Sequence, residues 1–195
     1  MIYILRHGQT VLNKAKALQG RSNLPLNETG IKEAEEIGSW FRGQGITFSG
    51  VYSSPLTRAV QTAHLAAGED AEVIVDDRLI EMDYGPYEGT DLTDPAPEII
   101  TFFSDFVHNP APEGMEQLHE VVARAGAFME DLRREKPEGD ILISTHAILM
   151  KGILEYLTPE SRGSYWSKHL GNCAVYVTEL MGDEFTIPVE IRTDM

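Results

Sequence analysis

Two short apolar runs, each leading into a histidine, constrain this chain more than any other feature. The first, Met1-Ile2-Tyr3-Ile4-Leu5, runs straight into Arg6-His7-Gly8. The second, Ile141-Leu142-Ile143-Ser144, runs into Thr145-His146-Ala147 and then into a helical stretch, Ile148 to Leu157. Apolar runs of this length, rich in β-branched residues and closed by small residues, are strand patterns. The second is continuous rather than alternating, which predicts a central parallel strand covered on both faces. Both imidazoles then stand at carboxyl ends of strands, the edge where open α/β sheets bind ligands.

The stretches between these runs alternate in type. A helix is predicted from about Asn27 to Arg42, with Ile31, Ala34, Ile37 and Phe41 on one face and Gly43 and Gly45 ending it. Phe48 to Tyr52 and Glu72 to Val75 are predicted strands. Between them, Ser54-Pro55 predicts a helix start with Ser54 as cap, which puts Arg58 in the first turn. A cation gains nothing from the dipole there, so Arg58 is placed for a ligand, or else is a surface arginine. Residues 78–89 are too rich in Gly and Pro for regular structure and carry Glu81 and Glu88. Glu81 is the candidate for acid–base work; Glu88 is taken as a solvated loop carboxylate. Residues 90–113 have the character of a lid, with an amphipathic piece from Glu98 to Val107. A long helix from Met115 to Lys136 follows. Ala174–Leu180 and Phe185–Ile191 are predicted edge strands joined at Gly182-Asp183. The whole, residues 1–195, is expected to form one α/β domain around a mostly parallel sheet.

Composition narrows the partners. Sixteen basic against thirty-one acidic residues leave a net charge of −15. That weighs against nucleic acid and anionic membranes, which are bound through excess Lys and Arg. No apolar run approaches the ~20 residues of a membrane span, and the short N-terminal run lacks the basic leader of a signal peptide. A single cysteine, Cys173, excludes an internal disulfide and points to the cytoplasm. Cys173 itself lies in an apolar stretch and is expected to be buried and inert. The six histidines lack metal-ligand clustering.

Two His, two Arg and one loop Glu at these positions are the parts for phosphoryl transfer. One imidazole attacks phosphorus, the arginine forks and the other imidazole hold oxygens, and the Glu protonates the leaving oxygen. The Ala147 amide, at a helix N-terminus, adds a donor for the anion. Taken alone, an Arg-His-Gly triplet is equally the mark of a satisfied core histidine; the later groups are what favour a site.

The sequence resembles the histidine phosphatase superfamily, the phosphoglycerate mutase-like proteins. The resemblance is carried by Leu5-Arg6-His7-Gly8-Gln9-Thr10 with Asn13, Pro25-Leu26-Asn27-Glu28-Thr29-Gly30, Ser53-Ser54-Pro55-Leu56-Thr57-Arg58-Ala59 with Gln61-Thr62-Ala63, Glu81 with Tyr84-Gly85 and Glu88-Gly89, Ser144-Thr145-His146-Ala147, and Asn172. It implies a three-layer α/β/α sandwich and no metal or other cofactor. It implies His7 as the nucleophile that becomes phosphohistidine, Arg6, Arg58 and His146 as phosphoryl-binding groups, and Glu81 as proton donor. Asn13, Gln19 and Gly20 would line the pocket, joined on this reading by Tyr84 and Ala147. Three departures stand out: Asn23 where Asp is frequent, Ala147 in place of Gly, and Lys151 in place of Arg on a helix expected to lead away from the site.

A feature of the chain itself bears on phosphatase against mutase. From Leu79 to Ala123 there are ten acidic residues and no Lys or Arg. A second anionic group held under such a segment would lack a counter-charge. The expectation is therefore a phosphatase acting through phosphohistidine on a small phosphorylated metabolite with a neutral, apolar or cationic leaving group. The alternatives are a mutase and a non-catalytic phospho-ligand binder on the same fold. Phe102, Phe103 and Phe106, with Tyr84 and Tyr87, either face the pocket or simply pack the lid.

Overall fold

The protein is described here from a computed structural model, whose described residues are 1–192. Residues 193–195 of the expected domain lie outside them. In chain order the elements are β1 (Ile2–Arg6), α1 (Val11–Lys14), α2 (Glu28–Gly43), β2 (Phe48–Ser53), α3 (Thr57–Ala67), β3 (Val73–Val75), α4 (Pro97–Ser104), α5 (Leu118–Glu135), β4 (Asp140–Thr145), α6 (Ala147–Leu157), β5 (Val175–Thr178), β6 (Leu180–Met181), β7 (Glu184–Phe185) and β8 (Val189–Ile191).

Six strands form one sheet in the order β3-β2-β4-β1-β5-β8. The pairs β3–β2, β2–β4 and β4–β1 are parallel, whereas β5 and β8 join antiparallel. The two-residue period of a strand divides the core into two layers. Ile2, Ile4, Ile141 and Ile143 face one side, where Val121, Phe128 and Met129 of α5 and Leu149 and Ile153 of α6 cover them. Tyr3, Leu5 and Leu142 face the other, against Ala34, Ile37 and Phe41 of α2 and Ala63 of α3. Helices on both faces of a mostly parallel sheet make the three-layer α/β/α sandwich.

Register decides what meets at the sheet edge. Leu5 pairs with Ser144 and Arg6 with Thr145, and the His7 N–H donates to Thr145 O at 2.9 Å. Ser53 pairs with Ser144, and the Ser54 N–H donates to Ser144 O at 3.0 Å. Three chain segments distant in sequence therefore end side by side.

Three expectations need correction. Ser54 does not cap α3, which starts at Thr57 with Leu56 in the cap position. The cap is supplied from another loop, because Asn23 Oδ1 accepts the Thr57 N–H at 2.7 Å. Asn23 thus retains a carbonyl acceptor where Asp is frequent. The last segment is not two edge strands. β5 lies inside the sheet between β1 and β8, and β6 and β7 form a separate hairpin around Gly182, whose φ is +68°. Cys173 is buried, but in a left-handed turn with φ +54° just before β5. Residues 90–113, the expected lid, contain the helix α4, whose Ile99 and Phe102 are buried in the core. No helix among the described residues is long and apolar enough to cross a membrane.

Candidate active site

His7 follows directly on β1 and is buried. Its Nδ1 lies 2.7 Å from Gly8 O, a carbonyl that can only accept, so Nδ1 carries the proton and Nε2 keeps the lone pair. Arg58 Nε donates to that Nε2 at 3.2 Å. Burial, reinforced by the Arg6 and Arg58 charges, pushes the imidazole pKa well below the usual 6.5. The ring is therefore neutral at pH 7, which is the form that attacks an electrophile.

Arg58 is no surface residue; its exposure is 0%. Besides His7 it binds Ser22 O through Nη1 at 2.7 Å and Gly20 O through Nη2 at 2.6 Å. Its pKa falls to about 10 because it is desolvated, with the Glu81 and Glu88 charges opposing that fall, so it remains charged. Arg6 donates through Nη1 to Leu170 O, while its buried Nε has no protein partner. Burial lowers its pKa too, against the opposing field of Glu81.

His146 occupies the cap position of α6 and is fully buried, its ring centroid 5.1 Å from that of His7. Its Nε2 lies 2.6 Å from Ser54 Oγ, and its Nδ1 has no protein partner. Ser54 Oγ also accepts the Leu56 N–H at 3.3 Å, and its own proton meets no other acceptor among the described residues, so it is assigned to Nε2, which leaves the ring proton on Nδ1. Burial first, then the Arg58 charge and His7, depresses this pKa well below 6.5 as well. His146 is thus a neutral N–H donor beside His7.

Glu81 lies across from these groups, buried, with Oε1 accepting the Met82 and Leu149 N–H groups at 2.9 and 3.1 Å and Oε2 accepting the Ile148 N–H at 3.1 Å. Two of these donors belong to the first turn of α6, which the helix cannot satisfy itself. They leave the Ala147 N–H, at the first helical position, as the remaining donor of that turn toward the pocket. The loop behind Glu81 is pinned by Arg124, which donates to the carbonyls of Arg78 and Ile80, and by Thr145 Oγ1, which donates to Leu79 O at 2.8 Å.

Arg6, His7 and Glu81 border a cavity of about 470 Å³, together with Tyr84, Phe103 and Lys151, whereas Arg58 and His146 are not among its lining residues. Asn13, Gln19 and Ala147 also border it. Gln19 Oε1 accepts from Thr10 Oγ1 at 2.6 Å, leaving its buried Nε2 without a partner. Asn13 Oδ1 accepts the Thr10 N–H at 3.0 Å. Burial holds the Tyr84 phenol well above its usual pKa, so it remains a neutral donor. Gly20 differs from the expectation. Its N–H goes to Glu88 at 2.9 Å and its carbonyl to Arg58, so its polar groups are committed to the protein. A Cβ there would meet Met82 O at 2.5 Å, which requires glycine.

Three other expectations change. Glu88 is not a solvated carboxylate: it gathers the N–H groups of Gly20 and Ser22 and the Ser22 hydroxyl, and so shapes the loop that holds Arg58. Phe102 belongs to the core, whereas Phe103 and Phe106 border the cavity; Tyr87 does not. Lys151 does not lead away from the site. It is 9% exposed and borders the cavity, and Lys168 and His169 reach the same space from the segment after α6. The acidic segment from Leu79 to Ala123 is therefore not the sole wall of the pocket, and a second anion would not lack a counter-charge. A cue for Lys151 was present in its spacing: four residues after Ala147, it shares that residue's helix face. Ser54 and Glu88 were marked in the sequence only as a helix cap and a loop carboxylate, and nothing there tied them to His146 or to the loop that holds Arg58. Among the described residues, no group of three or more His, Cys, Asp or Glu side chains is arranged to hold a metal ion.

The chain is similar to several known proteins. A protein named putative phosphoserine phosphatase 2, from Hydrogenobacter thermophilus, is 26% identical over 190 residues, covering 95% of this chain and 92% of that one. A probable phosphoglycerate mutase, GpmB of Yersinia pestis, is 29% identical over 179 residues, covering 89% and 82%. A crystal structure of Entamoeba histolytica phosphoserine phosphatase in complex with 3-phosphoglyceric acid superposes with a TM-score of 0.85 at 24% identity, covering 99% of this chain and 97% of that one. Residues 2–190 match the family described as the histidine phosphatase superfamily, branch 1. The chain belongs to the histidine phosphatase superfamily.

Proposed function

We propose that this protein is a phosphatase that hydrolyses a small phosphomonoester through a phosphohistidine on His7. The observation that carries the reading is the fixed tautomer of His7, whose Nδ1–H is tied to Gly8 O and whose Nε2 lone pair faces Arg58. On binding, the phosphoryl oxygens displace the Arg58–His7 contact and take the guanidinium donors of Arg58 and Arg6, with the His146 Nδ1–H and the Ala147 N–H as neutral donors. The His7 Nε2 lone pair forms the N–P bond as the P–O bond to the leaving group breaks. The leaving oxygen takes its proton from Glu81. Oε2 is the better placed oxygen for this, since it accepts one backbone N–H where Oε1 accepts two. Glu81 then removes a proton from water, which attacks phosphorus, breaks the N–P bond and returns neutral His7 with release of inorganic phosphate. Side chains supply every step, so the reading requires no metal.

The phosphatases among the relatives support this reading. The mutase reading draws on the GpmB relative. It would require the pocket to keep a phosphorylated intermediate while the product turns, a demand that hydrolysis does not make. The single, buried cysteine fits a cytoplasmic location.

Rapid-quench mixing with a phosphate-labelled monoester tests the proposal. Acid-labile label on His7, followed by inorganic phosphate release, is the expected result. Label that never forms would leave a phospho-ligand binder, and isomerisation of 3-phosphoglycerate far faster than hydrolysis would make the protein a mutase.

A further inference from the structure

His7 and Arg58 stand on different elements, the end of β1 and the first turn of α3, yet they must meet one phosphoryl group. A reacting constellation tolerates misplacement of only about 0.5 Å, so something has to hold the two in register. One hydroxyl that the phosphoryl chemistry leaves unused spans the gap. Thr62, on α3, is fully buried. Its Oγ1 donates to Arg58 O at 2.7 Å, a carbonyl that can only accept. The oxygen is then free to accept the Gly8 N–H, which lies 3.1 Å away. The first bond is the ordinary back-bond of a helical threonine to the carbonyl four residues earlier. The second reaches 54 residues back along the chain, to the residue after the nucleophile.

These bonds close a circuit. Thr62 Oγ1 takes the Gly8 N–H, Gly8 O takes the His7 Nδ1–H, His7 Nε2 takes the Arg58 Nε–H, and Arg58 O takes the Thr62 hydroxyl proton. The far side of the His7–Gly8 peptide is held as well, because His7 O accepts Asn172 Nδ2 at 3.1 Å and the Cys173 N–H at 3.4 Å. The peptide is thus gripped between α3 and the approach to β5. Its orientation matters, since it directs the next carbonyl, Gly8 O, at the imidazole. Among the described residues, only two hydrogen bonds join α3 to residues 7–10, Thr62 to Gly8 and Arg58 to His7. A phosphoryl group arriving between His7 and Arg58 displaces the second. The Thr62 hydroxyl is then the one hydrogen-bonded tie left between the helix that carries the arginine and the loop that carries the nucleophile.

We propose that Thr62 is a positioning residue for the phosphoryl transfer: its hydroxyl keeps His7 and Arg58 in register while substrate lies between them, and keeps the His7 proton on Nδ1. Without that hydroxyl the buried Gly8 N–H is left unpaired, and the peptide gains by turning toward another acceptor. Gly8 O then leaves Nδ1, and the imidazole no longer has one protonated nitrogen. The effect on turnover rests on the phosphatase reading, but the effect on the His7 tautomer belongs to the free protein and does not.

Two variants separate the hydroxyl from the rest of the side chain. Thr62→Val keeps the branched shape and removes the hydroxyl, whereas Thr62→Ser keeps the hydroxyl and loses only the methyl. With p-nitrophenyl phosphate, Thr62→Val is expected to lower kcat by about 10- to 100-fold, the effect of a small misplacement at the reacting centre. KM should stay within about twofold, because the tie matters once substrate is bound. Thr62→Ser should recover most of kcat. Nitrogen-resolved NMR of His7 should show the Nδ1–H tautomer alone in the wild type and in Thr62→Ser, and a mixture in Thr62→Val. Should Thr62→Val fail to fold, Thr62→Ala compared with Thr62→Ser isolates the same hydroxyl. An unchanged kcat in Thr62→Val, an equal loss in the valine and serine variants, or a single Nδ1–H tautomer in Thr62→Val overturns the proposal. A role in stability alone would lower the unfolding temperature of Thr62→Val and leave both kcat and tautomer as they are. If the wild type hydrolyses no monoester, the phosphatase reading fails on its own. The NMR comparison then decides the role of Thr62: a mixture in the valine variant upholds it, and a single tautomer overturns it.

Discussion

Two side chains, Arg58 and Ser54, carry separable demands at the scale of single residues. Arg58 makes three directed bonds at once, to His7 Nε2, Ser22 O and Gly20 O. A lysine offers one point charge on a flexible stem and cannot fill that fork. Arg58→Lys should therefore lower kcat/KM by about 10²–10³-fold, the usual cost of one lost transition-state donor, in steady-state assays of any good monoester. Ser54 acts through His146. Without its hydroxyl, Nε2 loses the partner it has at 2.6 Å, and no protein group then selects between the two tautomers. Ser54→Ala should lower kcat more than it raises KM, by on the order of 10-fold, and nitrogen-resolved NMR of His146 should show a mixture of tautomers in place of one. A single Nδ1–H tautomer in the variant would mean that the hydroxyl is not what sets it. Glu81→Gln separates acid catalysis from positioning, because glutamine keeps the carbonyl acceptor but cannot give a proton to an alkoxide. It should slow alkyl phosphates strongly and aryl phosphates, whose leaving oxygen needs little protonation, much less. Equal slowing of both would assign Glu81 another role.

At the scale of elements, the loop from Gly20 to Ser22 is organised from outside itself. Glu88 binds its N–H groups, and its carbonyls hold Arg58. Glu88→Ala should leave those buried donors unpaired, cost about 1–3 kcal/mol in thermal or denaturant unfolding, and lower activity by loosening Arg58. The strand ends bearing His7 and His146 were legible from the sequence because an apolar run closed by a polar triplet encodes position by itself. The α2 helix was legible for the same reason: Asn27 caps it through the Gly30 N–H, and its buried face repeats at helical spacing. What could not be read depends on partners distant along the chain. Asn23 caps α3 across 34 residues, and Glu88 meets Gly20 across 68. β5 has no local signal that separates an inner strand from an edge strand; its place follows from pairing with β1 and β8. Ser54 was read from its neighbour Pro55, whereas its hydroxyl answers to a histidine 92 residues away.

At the scale of the whole molecule, folding confines neutral imidazoles beside arginines within a chain of net charge −15. His7 and His146 both have folded pKa values pushed well below 6.5, by burial first and then by the charges of Arg6 and Arg58. In the unfolded chain both return to about 6.5. Above that pH neither state binds the protons and the pair leaves stability unaffected by pH. As pH falls through 6.5, the unfolded chain takes up protons that the folded protein refuses, so stability is lost with acidification until the folded pKa values are reached. The unfolding free energy should therefore begin to drop just below pH 6.5, with a slope approaching about two protons from this pair. Denaturant titrations between pH 7.5 and 5.5 would measure it, and His7→Gln should remove about half of the slope. The same neutrality moves the acid limb of kcat/KM below the ordinary imidazole range, so activity should persist at a pH where stability is already falling. If His7→Gln leaves the slope intact, the protons taken up on unfolding belong to other groups, and His7 is not the buried neutral base that the reaction requires.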